Sequence, residues 1–427
     1  MTAVDKSRLD ADVIVIGGGA AGLLAAASAG GRGRSVLLLE KNTKLGVKIL
    51  MSGGTRCNIT HACDAQGIAE AFGNQGRFLR SALASLPPED VVTLVESHGV
   101  KTKVESTGKV FPVSNRAIDV RDALADHARN AGVRIIREQP VREITAPAGN
   151  DATDSFEVQT DSDQFRCRSV VLTTGGRSYP GCGTTGDGYA WAKQMGHTIT
   201  STVPALTPVV SHTDWIRNLS GITLESVRIS TPTTMIGKKQ SHRTESGPLL
   251  LTHFGLSGPT VMNLSREIAR HYETKTADHV ELICDFLPDL SETQLQQNFA
   301  ESRQQSGQRT IASVVGDWLP RRFSESLLER CNLPLQTRCS ELPRTGLRAL
   351  LENIKHNRLA AHGTLGYQKA EVTAGGVNLR EVDSRTMQSK KQPGLFLAGE
   401  VLDVDGPIGG FNFQAAFSTG WLAGQHA

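Results

Sequence analysis

The sequence predicts an α/β protein: one sheet-and-helix domain, split in two along the chain, with a β domain and a small helical subdomain inserted between its parts. Three observations carry that expectation. Asp12 to Glu40 reads as strand, glycine turn, helix and second strand; after His197 the texture changes to short β-prone runs; beyond Lys369 a glycine-rich α/β texture returns. The expected divisions are 1–196 for the first part of the leading domain, 197–290 for the β insertion, 291–353 for the helical subdomain, 354–369 for a return through the β insertion, and 370–427 for the closing part.

Val13-Ile14-Val15-Ile16 is an apolar run of buried-strand length, followed at once by Gly17-x-Gly19-x-x-Gly22 and an alanine-rich helix to about Gly30. The three glycines serve different ends. Gly17 permits the sharp turn, Gly19 lets the backbone approach a pyrophosphate at the helix N-terminus, and Gly22 brings helix and sheet together. Gly17, Gly19, Ala20, Ala21 and Gly22 are therefore candidate dinucleotide contacts. Ser35 to Leu39 forms the second strand, and Glu40 stands at its end, near the interval of about twenty residues expected of a carboxylate that accepts from ribose hydroxyls.

Lys41 to Asn58 reads as a glycine- and lysine-rich loop dense in backbone donors. Lys41, Lys48, Ser52, Gly53, Gly54, Arg56, Cys57 and Asn58 are its candidate cofactor residues, with Lys48 and Arg56 placed to neutralise negative charge on a pyrophosphate or a reduced flavin. Cys57 and Cys63 invite a redox-disulfide reading, but five residues intervene where flavin disulfide reductases have four, so a catalytic disulfide is not expected.

Helical patterning runs through Ser81–Gly99 and Asp119–Gly132, then strand-like pieces at Val133–Ile136, Phe156–Thr160 and Ser169–Thr173, with Ala146–Asp154 a surface hairpin or loop. The strand Val170 to Leu172 ends in Thr174-Gly175-Gly176, small residues past which a dinucleotide can lie; these three and Val141 join the candidate contacts. Gly181 to Gly186 matches the glycine triplet literally but follows Tyr179-Pro180 rather than a strand, so no second nucleotide domain is inferred. Gly186 and Asp187 open a helix over Ala190–Met195, offering either N-terminal amides to a flavin or a plain cap.

Short β runs at Ser226–Ser230 and His279–Cys284 mark the insertion, and leucines at helical spacing between Ser291 and Asn353 the helical subdomain. In the closing part, Gly394 to Glu400 repeats strand, glycine and acid. Gly406 to Gln414 leads into a small-residue helix whose N-terminus suits the pyrimidine edge of a flavin, making Gly399, Glu400, Gly409, Gly410, Phe411 and Asn412 candidate contacts. For a proton donor the candidates are Cys57 and His253, the latter embedded in an apolar, glycine-rich stretch.

Composition sets the outer bounds. The chain has 427 residues and a net charge of +3, too balanced to announce nucleic acid. Nothing before Val13 resembles a signal peptide and no segment approaches a membrane span; seven scattered cysteines suggest free thiols in a reducing cytoplasm. No histidine and cysteine cluster has metal-ligand spacing, and no stable protein partner is evident.

Four stretches together resemble the BaiN-like, or YhiN-like, flavoproteins, within the two-dinucleotide-binding-domain class that includes glutathione reductase and fumarate reductase relatives. They are Lys48 to Asn58, Thr252 to Pro259, Ala370 to Val377, and Gly399 through Gln414. The resemblance covers nearly the whole chain and implies a non-covalent FAD in a discontinuous Rossmann-like domain, an inserted β-barrel domain and a small helical domain. It also implies that NAD(P)H, binding transiently without a domain of its own, supplies a hydride that passes through flavin N5 to an unsaturated small molecule or RNA base. Activities within that family include reduction of a conjugated double bond in steroid-like substrates, oxidation of aminoacetone, and reduction of uridine to dihydrouridine in ribosomal RNA. An RNA acceptor implies a basic cleft, to which Arg321-Arg322 and Lys355 to Arg358 are the candidate contributors. Two positions depart from the family: Thr55 stands where a third glycine is usual, and Phe411 where a tyrosine is.

Overall fold

In the computed structural model, residues 9–147, 155–231, 234–236, 239–241, 243–274, 278–305 and 308–427 are described. They fall into two compact units, Met1–Val203 with Glu371–Ala427, and Pro204–Ala370.

The first unit is built on a sheet in the order Arg134–Ile136, Val36–Leu39, Ala11–Ile16, Gln164–Leu172, Phe156–Thr160 and Val141–Thr145. Its centre is parallel and buried on both faces, which is why Ala11–Ile16 and Val36–Leu39 read as continuous apolar runs rather than alternating ones. The long strand Gln164–Leu172 divides its outer edge. Its first half pairs antiparallel with Phe156–Thr160, and its second half pairs parallel with Leu395–Leu397 from the far end of the chain. Ile16, Leu39, Leu172 and Leu397 therefore end side by side, so the segments after them leave the same edge of the sheet. The strands Val141–Thr145 and Phe156–Thr160 pair antiparallel; of the segment between them, read from the sequence as a surface hairpin or loop over Ala146–Asp154, residues 148–154 lie outside the described residues.

Helix Ala20–Gly31 follows the first strand and lies against the C-terminal helix Phe411–His426. Small residues set that contact. A Cβ added at Gly420 would lie 2.2 Å from the Ala21 carbonyl oxygen, and one at Gly424 2.2 Å from that of Ala25. Three expectations are corrected here. Ser81–Gly99 is two helices, Gly76–Ser85 and Pro88–Ser97, because Pro87 and Pro88 cannot continue the first and suit the start of the second. Lys41 to Asn58 is not a loop throughout: Val47 begins a helix that Ser52, Gly53 and Gly54 unwind, the two glycines at φ +56° and +67°. A three-stranded sheet of Thr60–His61, Lys109–Pro112 and Thr102–Val104, too short to show a period, was not expected at all.

The second unit holds an antiparallel sheet ordered Val209–Val210, Gly255–Ser257, Thr244–Thr252, Thr223–Ser230, Val280–Asp285 and Asn357–Ala361. Its outer strands meet. Val210 donates to the Gly363 carbonyl at 3.0 Å and accepts from the His362 amide at 2.8 Å, so the sheet curls into the expected barrel. The helices Glu292–Gln305, Ile311–Gly316, Arg321–Arg330 and Arg344–Lys355 share one core with it, for example through Phe286 edge-on to Phe323 at 4.8 Å. Helix Pro259–Thr274 was not anticipated.

The barrel seam carries three histidines. The His212 and His362 rings lie 4.5 Å apart and those of His279 and His362 5.8 Å apart, while His362 Nδ1 accepts from the His212 amide at 3.2 Å. Burial first, then the neighbouring imidazoles, depress the His362 pKa. A depressed folded value means that the unfolded chain binds the proton more readily, so this contribution is complete above the ordinary imidazole range and is lost as pH falls through the folded value. Between pH 7.5 and 5.5 the wild-type melting temperature should drop further than that of His362→Gln; parallel curves for the two proteins would exclude the effect.

Candidate functional site

The glycine turn supplies the first element of the site. A Cβ at Gly17 would sit 2.7 Å from the Thr173 carbonyl oxygen and one at Gly22 1.8 Å from that of Gly17, so both glycines are required by the protein itself. Gly19 differs: a Cβ there would meet no atom within 4 Å. The helix N-terminus is thus open where a phosphate group would approach.

Glu40 is buried, and its two carboxylate oxygens accept from the amides of Gly18 at 2.7 Å and Asn42 at 2.8 Å. It clasps the turn to the segment beyond the second strand. Lys41 bonds Asp187 at 2.6 Å and Thr185 at 2.8 Å, drawing the 185–187 segment to the same edge. Gly186, at φ +85°, caps the helix Asp187–Gln194; Asp187 is its first residue and makes no side-chain cap.

Lys48 and Glu400, from the two separated parts of the unit, meet at 2.5 Å. Lys48 also donates to Ser178 Oγ at 2.6 Å. Glu400 Oε1 accepts from Ser178 Oγ and from the Thr373 amide, both at 2.8 Å. Gly176 lies against this network, since a Cβ there would come 2.4 Å from Thr373 Oγ1. Gly175, at φ +73°, precedes it.

Arg56 is engaged rather than free, paired with Glu105 at 2.7 Å and stacked 4.1 Å above the Phe111 ring. Cys57 is fully buried, and burial pushes its thiol up to about 12, leaving it a neutral packing group at physiological pH. Cys63 is half-buried, and both are free thiols. Thr55 is exposed at φ +68°, a left-handed conformation that a β-branched residue rarely adopts and that accounts for the glycine usual at that position. Its side chain does not crowd the interior. Ser52 Oγ donates to the Ile49 carbonyl, closing the helical turn before the kink.

Two polar atoms at sequence-predicted positions, Asn58 Oδ1 and Thr174 Oγ1, are buried without a hydrogen-bond partner among the described residues. Such atoms are costly unless something bonds them. Together with the open Gly19 and the cation of Lys48, they provide a donor and acceptor set that fits a flavin dinucleotide. Val141 contributes only backbone and a half-buried side chain at the head of its strand.

The C-terminal loop is held by a residue that the sequence did not single out. His61 stacks on Phe411 at 4.6 Å, and its Nδ1 lies 3.1 Å from the Gly409 carbonyl oxygen. Gly410, at φ +94°, passes so close to Thr60 that a Cβ would stand 2.5 Å from its carbonyl. Asn412 is a clasp for the same loop: its Oδ1 accepts from the Gly406 amide at 2.8 Å and its Nδ2 donates to the Gly406 carbonyl at 2.9 Å. Gly399 is tied to Thr419 Oγ1 at 3.0 Å.

Other candidates lie in the second unit. His253 is exposed at the tip of the hairpin between Thr244–Thr252 and Gly255–Ser257, edge-on to Phe254 at 5.0 Å, and is not embedded in apolar surroundings. The proposed basic residues are already engaged. Arg321 pairs with Glu325 at 2.8 Å, Arg322 donates to the Asn218 carbonyl at 3.0 Å, Arg358 pairs with Glu281 at 2.7 Å, and the largely buried Lys355 pairs with Asp285 at 2.8 Å.

A family model described as HI0933-like protein Rossmann domain matches residues 11–426. The chain belongs to that family. Similar proteins include the ribosomal RNA dihydrouridine synthase of Escherichia coli (strain K12), 33% identical over 97% of each chain, and the 3-dehydro-bile acid delta(4,6)-reductase of Clostridium scindens, 31% identical over 92% of each. Among solved structures, the 3-ketosteroid-delta4-(5alpha)-dehydrogenase of Rhodococcus jostii RHA1 covers 99% of this chain and 98% of its own, at 16% identity and a TM-score of 0.49. The HI0933-like family is one of FAD-dependent oxidoreductases, and this chain is an enzyme of that class. No helix among the described residues is long and apolar enough to cross a membrane.

Proposed function

We propose that the enzyme uses NAD(P)H as a transient reductant and a non-covalently held FAD to saturate a carbon–carbon double bond conjugated to a carbonyl. When bound, FAD supplies a hydride carrier at N5. The observation that carries the reading is the contrast within the glycine turn, where Gly17 and Gly22 are required by the fold and Gly19 is open to a ligand.

The chain's own residues then take defined roles. The amides beside Gly19 receive a pyrophosphate, and Glu40, with each oxygen bonded once, keeps acceptor capacity for ribose hydroxyls. Asn58 and Thr174 bond the cofactor with atoms that otherwise lack partners. Lys48, steadied by Glu400 and Ser178, and the N-terminus of Phe411–His426 place positive potential where negative charge collects on reduction. Cys57 is not the proton source, because its thiol is sealed in the core.

The activities named for the two relatives share one chemistry. Both a bile-acid dienone and uridine present a double bond conjugated to a carbonyl, and the relative named for ribosomal RNA is similar over 97% of this chain. Reduction of a uridine base is therefore a second reading of the same site. The distribution of its free thiols supports a reducing cytoplasm as the location.

The test is an anaerobic titration of the purified protein with NADPH and with NADH. We expect a yellow protein whose flavin absorbance bleaches with one of them. Colourless protein that refuses added FAD ends the flavin reading, and a flavin that only an amine reduces ends the reductase reading.

A further inference from the structure

We propose that Tyr179 is the proton donor to the acceptor, an assignment that rests on the flavin-reductase reading above. Its backbone adopts φ +50° and ψ 63°, a left-handed conformation that a bulky residue holds only when its surroundings over-determine it. Among the described residues it is the aromatic one with positive φ.

The surroundings do over-determine it. On one side, Ser178 is fully buried, donates its amide to Thr373 Oγ1 at 3.1 Å and its hydroxyl to Glu400 at 2.8 Å, and accepts from Lys48 at 2.6 Å. On the other, the Tyr179 carbonyl accepts from the Cys182 amide at 2.7 Å and from Thr184 Oγ1 at 3.1 Å. Farther along, Asn42 donates to the Cys182 carbonyl at 3.0 Å, and Lys41 holds Thr185 and Asp187. The segment from Ser178 to Asp187 is thus pinned at its start to the Lys48–Glu400 pair and at its end to the two residues that follow Glu40. Both anchors belong to the candidate cofactor site.

The Ser178, Tyr179 and Pro180 carbonyls are all committed to this scaffold, whereas the Tyr179 phenol, on a half-buried ring, has no hydrogen-bond partner among the described residues. Burial first, then the Glu371 carboxylate and the Cys182 thiol, raise its ionisation above the ordinary phenol range, so at neutral pH the group carries its proton. A conjugated acceptor needs that proton. When a hydride from the reduced flavin forms a C–H bond at one carbon of the double bond, the other carbon must gain H⁺. The Tyr179 O–H bond breaks, a second C–H bond forms, and the phenolate recovers a proton from water. The acceptor gains two electrons, the flavin loses two, and one solvent proton is consumed.

The experiment compares flavin-loaded wild type with Tyr179→Phe, which keeps the ring, and Tyr179→Gly, which relieves the backbone. Protein reduced with NADPH is mixed anaerobically with ferricyanide, which needs no proton at carbon, or with 4-androstene-3,17-dione or a uridine oligonucleotide, which do. The ratio of the conjugated-acceptor rate to the ferricyanide rate should fall by about 100-fold or more in both variants, the range for loss of a general acid. Independently of turnover, the wild-type-minus-Phe ultraviolet titration of oxidised protein should show one phenol ionising above about pH 10, the free-tyrosine value, and moving when one of these two acceptors is added. An unchanged rate ratio in Tyr179→Phe, or a phenol that neither acceptor moves, overturns the assignment. Failure of both nicotinamides to bleach the wild-type flavin overturns instead the reading on which it rests.

Discussion

Glu400→Ala should lower the stability of the flavin-free protein by about 2–3 kcal/mol, less than the full cost of stripping a deeply buried ion pair because both side chains keep some exposure. The substitution removes the acceptor of three donors at once: Lys48 Nζ, Ser178 Oγ and the Thr373 amide. Two of these come from segments that the chain separates by more than half its length, so the loss weakens the join between the two parts of the first unit. A drop of about 5 °C or more in melting temperature is expected for a domain of this size. Lys48→Met should destabilise too, and the double variant should lose less than the sum, with a coupling of about 1–2 kcal/mol for groups in one network. FAD retention on gel filtration should fall in both. If Glu400→Ala melts with the wild type, the pair is a surface contact without structural weight.

That pair marks the limit of what the sequence reveals. The strand, turn and helix around Gly17, Gly19 and Gly22 are legible because local periodicity and glycine placement encode them within thirty residues or so. The barrel is legible as a change of texture, yet its closure is not, since two backbone hydrogen bonds between Val210 and residues 362 and 363 leave no compositional trace. Lys48 and Glu400 each stand out as candidate contacts, but no local rule says that they face one another. His61 escapes notice because a histidine in a two-residue strand looks like any polar surface position. Its one available signal is its place three residues after Asn58, just beyond a motif already singled out. His253 shows the opposite error: apolar neighbours in sequence suggest an enclosed imidazole, whereas a hairpin tip exposes its residue whatever flanks it. The engaged Arg321, Arg322, Lys355 and Arg358 teach the same lesson for charge, because a basic run says nothing about the carboxylates and carbonyls brought to it by folding.

Substitutions within the glycine turn should separate folding from cofactor binding. Gly22→Ala places a methyl group 1.8 Å from a backbone oxygen that cannot move without shifting the first strand or its helix, so a destabilisation of about 3 kcal/mol or more is expected, at the upper end for overpacking. Gly19→Asp should do the reverse. Gly19 is the N-cap of Ala20–Gly31 at φ −85° and ψ −166°, extended backbone that any residue adopts, and it makes no side-chain cap. An aspartate there supplies the missing acceptor for the first helical amides, which should hold or raise the flavin-free melting temperature, since such caps contribute about 1 kcal/mol. The same carboxylate occupies the space and the positive potential on which a pyrophosphate depends, so FAD affinity should fall by about 100-fold or more, equivalent to about 2.7 kcal/mol. Isothermal titration with FAD beside thermal melts of the flavin-free protein measures both quantities on one sample. A Gly19→Asp protein that melts normally and still binds FAD as tightly as the wild type would move the phosphates away from this helix, and with them the proposed roles of Glu40 and Lys48.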